Sequence, residues 1–84
     1  MPYISKDKRP KYDEVLDQFE LIRCKGDLEY CVARLQKIFM STRAWKFDTL
    51  HDAVYGVQHC ADEFRRRYLD KREDEARDIN GDVE

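Results

Sequence analysis

From Asp48 to Ile79 apolar residues recur at helical spacing, and no strong stop signal intervenes before the Asn80-Gly81 pair. The stripe runs Leu50, Ala53, Val54, Val57, Cys60, Ala61, Phe64 and Tyr68. At 1.5 Å per residue a continuous helix over this stretch reaches about 45 Å. That is long for a chain of 84 residues, which has room for a single domain because small chains bury only about 60% of the surface they expose when unfolded. The last two turns of such a helix must project beyond the rest of the domain or find another surface.

Two shorter stripes precede it. Tyr12, Val15, Leu16 and Phe19 share one face, with Ile22 at its edge and Pro10 in the first turn, and the spacing predicts a helix over 10–24 ended by Lys25-Gly26. Asp27 is placed to cap a second helix over 27–40, whose stripe is Leu28, Cys31, Val32, Leu35, Ile38 and Phe39. With the third helix over 48–79, the chain reads as an all-α, three-helix domain with a long C-terminal helix, an N-terminal arm (1–9) and a tail (80–84). The connection from Ser41 to Phe47 has no period, and Trp45 with Phe47 is expected to lid one end of the core. That core is expected to hold Tyr12, Leu16, Phe19, Leu28, Val32, Leu35, Phe39, Leu50, Val54, Val57, Phe64 and Tyr68.

Composition narrows the class of function. Charged residues make up 40% of the chain, well above the usual quarter, and divide into 16 basic and 18 acidic. This balance argues against non-specific binding to phosphate backbones, which needs a clustered positive excess. No apolar run is long enough for a membrane span, and the first ten residues lack the apolar core of a signal peptide, so the expected setting is the cytoplasm. Three cysteines, Cys24, Cys31 and Cys60, are an odd number without a dense framework and are expected as free thiols.

Motifs for catalysis are missing. His51-Asp52 matches a dipeptide of metal-dependent phosphohydrolases, but only His59 remains as a further histidine. Cys24, Cys31, His59 and Cys60 include no short-spaced pair that would present two zinc ligands from one turn. There is no glycine-rich phosphate loop and no nucleophile elbow. The chain therefore reads as a non-enzyme with no metal and no cofactor.

Binding is the remaining class. On a regular helix Arg65 and Arg67 border the core stripe while Arg66 points away, so the three arginines do not make one basic patch. Tyr55, His59, Asp62, Arg66 and Leu69 fall on an outer ridge that continues toward Glu73 and Asp74, and this ridge is the expected contact with another copy or a protein partner. On the second helix Tyr30 faces outward with Arg34 and Lys37 after it, and this edge suggests an alternative: a nucleotide messenger stacked on Tyr30, its phosphates paired by Arg34, Arg66 or Arg67 across a subunit boundary.

Three landmarks, "MPYI", "GDLEYCVARL" and "GVQHCADEFRRRYLDKREDEARDINGDV", span nearly the whole chain. Together they resemble an uncharacterised family of short proteins of bacteriophages and bacterial genomes, with an MPYI start, a GELNY-like middle and an EFYRR…YED…NGDV ending. The matching positions include Gly26, Tyr30, Arg34, Gly56, Glu63, Phe64, Arg66, Arg67, Glu73, Asp74 and Gly81. Leu69-Asp70-Lys71-Arg72 departs from the pattern by lacking the proline and tyrosine usual there, which leaves the third helix free to run on. The resemblance implies a mobile-element setting in a bacterial host cell and carries no catalytic residue. In that setting the expected function is a phage-type accessory protein that binds a protein partner, such as an inhibitor of a CRISPR effector or another defence complex. The further alternative is a structural or regulatory phage component.

Overall fold

A computed structural model describes residues 2–83, so what is expected of Met1 and Glu84 lies outside the described residues. The chain is all-α, with no strand among the described residues. After a single 3-10 turn at Lys6–Lys8 come α1 (Pro10–Leu16), α2 (Lys25–Met40) and α3 (Phe47–Phe64). The last of these passes through a π-turn at Arg65–Leu69 directly into α4 (Asp70–Asn80). The result is three helices, the C-terminal one running from Phe47 to Asn80. A straight helix of that span is about 51 Å long, which matches the 50 Å long axis of the molecule.

Local chemistry explains most of the boundaries. Cys24, in extended backbone, caps α2 by accepting the Asp27 N–H on its sulfur at 3.4 Å. Asp27 thus sits in the first turn, where its charge complements the helix dipole, rather than at the cap expected for it. Lys25 and Gly26, expected to end the first helix, instead open the second. At the start of α3 the Thr49 hydroxyl accepts the Lys46 N–H at 3.2 Å and also bonds the Ala44 carbonyl. Gly81 takes φ 88°, the left-handed region that glycine enters freely, and its N–H closes the helix on the Arg77 carbonyl at 2.8 Å.

α1 stops at Leu16, well short of the expected residue 24. Tight turns from Gln18 to the Val15 carbonyl and from Phe19 to the Leu16 carbonyl end it. The physical reason is the lack of a surface to dock on: α1 packs against neither α2 nor α3, and a helix this short is unstable unless an apolar face is buried.

α2 and α3 form an antiparallel hairpin, pinned where the Gln36 side chain donates to the Ala53 carbonyl at 3.0 Å. Within it only Met40 is fully buried, at 3% exposure, while Val32, Phe39, Ala53 and Val57 are half-buried. The expected core is corrected accordingly. Tyr12, Leu16, Phe19, Leu28, Leu35, Leu50, Val54, Phe64 and Tyr68 are all exposed in the single chain. Trp45 and Phe47 do not form a lid; both are exposed, and Trp45 instead carries the Lys37 ammonium 5.3 Å from its ring centroid.

The size of the molecule says the same. Its accessible surface is 7996 Å², against about 5,300 Å² for a compact monomer of this mass. Its radius of gyration is 16.8 Å, against about 12 Å for a compact domain of this length. The helical pattern in the sequence is realised, but one copy lacks the surface on which its apolar faces close.

Candidate functional site

The exposed side chains of the long helix are ordered. Phe47, Leu50, Val54, Val57, Ala61 and Phe64 follow alternating steps of three and four residues, the spacing of an apolar coiled-coil seam. Five of these six are exposed, Phe64 at 66%, and only Val57 is half-buried. The next step falls on the π-turn, where the Asp70 N–H reaches back five residues to the Arg65 carbonyl. A π-turn accommodates one extra residue, so everything after it is rotated by about 100° from its place on an uninterrupted helix. The rotation brings Leu69, Ala76 and Ile79 into line with the seam, and Tyr68, which would otherwise hold the place of Leu69, lies beside Phe64 with ring centroids 4.7 Å apart.

The same turn anchors the N-terminal arm. Arg67 donates from Nη1 to the Tyr3 hydroxyl at 3.1 Å, bridging the arm to the long helix. Next to it Glu63 accepts from Arg66 Nε at 3.1 Å, with Arg66 Nη2 as a second donor. Pro2 and Tyr3 line shallow depressions on either side of Glu63, whose side chain is only 18% exposed. The Arg66 hydrogen bonds hold the Glu63 carboxyl below the usual carboxylate range, against the effect of burial, and Tyr3 adds in the same direction. A depressed carboxyl stabilises the folded state above its unfolded pKa, about 4.3, and that contribution is lost as pH falls through the folded value. The arm contact should therefore hold at neutral pH and loosen only in acid below the ordinary glutamate range. A carbon-detected NMR titration of Glu63 is expected to show a midpoint below that of a free glutamate, and Glu63→Gln to leave the Tyr3 ring signals independent of pH across the same interval. A midpoint at or above the ordinary value would remove Glu63 from the anchor.

The expected outer ridge is changed by these contacts. Tyr55 stacks on His51 with centroids 4.2 Å apart, and His51 lies 5.6 Å from Phe47. Asp62 accepts from Gln58 Nε2 at 2.9 Å, and Arg66 turns to Glu63. Tyr55, His59, Asp62 and Arg66 remain exposed on α3 and the turn, but Leu69 rotates away from them toward the seam. Glu73 and Asp74 lie in α4, where Asp74 is 3.8 Å from Arg77. Of the residues in the alternative ligand reading, Arg34 donates to the Tyr30 hydroxyl at 3.3 Å. Within one chain Arg67 is not brought to them. The Gln36–Ala53 bond sets Tyr30 level with His59, and Arg67 lies about 12 Å farther along the long helix, engaged with Tyr3.

Cys24, Cys31 and Cys60 are free thiols. No three His, Cys, Asp or Glu side chains converge in a metal-holding group among the described residues, and no helix there is long and apolar enough to cross a membrane. Glu63 and Arg67 are among the positions that carry the resemblance, but their contact with Tyr3 of the arm was not foreseen. Its only signals were the MPYI start and an acid three residues before Arg66.

The family described as Domain of unknown function (DUF6899) matches residues 1–83. The chain belongs to this family. No curated protein and no solved structure matches the chain. The match covers every described residue, the N-terminal arm and the end of the long helix included.

Proposed function

We propose that the chain is a non-enzymatic binding protein that completes its fold by assembling with copies of itself and acts by docking on a protein partner. The observation that carries this reading is that, among the described residues, Met40 alone is fully buried while an ordered apolar seam stays open along the long helix. An apolar surface of this extent on a chain this small belongs to an interface.

Once the seam is occupied, the charged flank carrying His59, Asp62, Glu73 and Asp74 is what remains to meet a partner. In the phage setting that the sequence resemblance implies, the partner we propose is a basic, nucleic-acid-handling surface of a host defence complex. The carboxylates of Glu73, Asp74, Glu75 and Asp78 would compete for it, with salt-sensitive association. Light scattering on the purified chain is expected to give a mass of at least two copies. Capture from host lysate is expected to survive nuclease treatment and to weaken several-fold in a Glu73→Lys, Asp74→Lys double variant. A monomer at every concentration would overturn the assembly reading, and capture that disappears with nuclease would overturn the protein-partner reading.

A further inference from the structure

We infer that the assembly is an antiparallel dimer in which the long helices of two copies lie along each other's seams, with the two-fold axis near His59. This rests on the self-assembly reading above and specifies its occupant, orientation and register.

Area, shape and charge each support it. The single chain exposes 7996 Å², about 2,700 Å² beyond a compact monomer of its mass. Covering half of that excess on each of two chains buries about 2,700 Å² in total, within the range of obligate homodimers. Two α2–α3 hairpins laid together in this way place four helices side by side, a bundle of the ordinary kind.

Orientation follows from what meets what. In a parallel, in-register pair each layer meets itself: Phe64 faces Phe64, Arg72 faces Arg72, and the acidic ends lie side by side. An antiparallel pair centred near His59 sets Val57 against Ala61, Val54 against Phe64 and, after the extra residue of the π-turn, Leu50 against Leu69. The large Phe64 then meets the smaller Val54 and not a second Phe64, as interdigitated layers require. One step farther out, Arg72 arrives over Phe47, an exposed ring with no cation on it among the described residues of the single chain. The same register sets the two acidic α4 ends, which a parallel pair would lay side by side, at opposite ends of the dimer.

The test uses the native chain. Lys46 and Lys71 lie 25 positions apart in the sequence, about 37 Å along one straight helix, beyond the reach of a short amine-reactive linker. In the antiparallel dimer they come within two residues of being level across the interface. Cross-linking of a mixture of isotopically light and heavy chains, followed by mass spectrometry, is expected to give a mixed-isotope Lys46–Lys71 link, absent from a Lys71→Arg variant. An oligomer that gives Lys46–Lys46 and Lys71–Lys71 links, or no Lys46–Lys71 link, overturns the antiparallel arrangement while leaving self-assembly standing. A monomer by light scattering overturns both.

Discussion

Phe64→Ala is expected to destabilise the assembled protein by about 3 to 5 kcal/mol per copy, the usual cost of truncating a buried aromatic. In the single chain this ring is 66% exposed, where the same change would cost well under 1 kcal/mol. The two expectations differ by several-fold, so one substitution separates a residue that closes an interface from one that faces solvent. The readout is the thermal midpoint of helix melting at several protein concentrations. Folding coupled to association makes that midpoint rise with concentration, and Phe64→Ala should lower it at every concentration and move assembly to higher protein. Tyr55→Ala is the matched control: Tyr55 is a similar ring on the same helix, but it rests on His51 away from the seam. A midpoint that is independent of concentration and moves by only a degree or two in Phe64→Ala would show that the seam is a solvated face.

The class of the fold was legible because three helical periods and a scarcity of glycine leave little else for the chain to form. The core was not. Periodicity shows which residues share a face but not what covers it, and Leu50, Val54 and Phe64 carry the same pattern whether a helix of the same chain or of another closes over them. Local chemistry decided the details that propensity missed. A cysteine sulfur can accept an N–H, so Cys24 took the cap expected for Asp27. A helix with nothing to dock on frays, so α1 ended at Leu16. The neighbouring arginines take different partners, Arg66 pairing Glu63 and Arg67 reaching Tyr3, yet both line one depression with Lys71 and Arg72. The π-turn had only a late signal in the sequence: the three-and-four spacing from Leu50 to Phe64 continues to Tyr68 but then meets Lys71 and Glu75, whereas the same steps taken from Leu69 reach Ala76 and Ile79. A straight-helix projection placed Leu69 on the outer ridge for that reason.

That one-residue offset gives the π-turn a purpose and a decisive test. If the turn exists to carry one extra residue without rotating the seam, then deleting a residue inside it should restore a regular α-helix with Leu69, Ala76 and Ile79 still in line. Deletion of Arg65 is the suitable choice, since no ion pair or hydrogen bond of its side chain occurs among the described residues. It also brings Arg67 three residues after Glu63, where Arg66 had been. The Arg65 deletion is expected to stay helical and assembled, with a midpoint within a few degrees of the parent. Deletion of Gln58, an exposed residue inside regular α-helix, should do the opposite. It rotates Ala61, Phe64 and everything beyond by about 100° relative to Leu50 and Val54, which splits the seam into two faces that no single partner helix can cover. Assembly should then be lost at micromolar concentration, and with it most of the cooperative helix melt. Circular dichroism and sedimentation on the two deletions decide the matter: equal damage from both would mean that the turn is not a phase correction, and an undamaged Gln58 deletion would mean that the long helix has no continuous seam to protect.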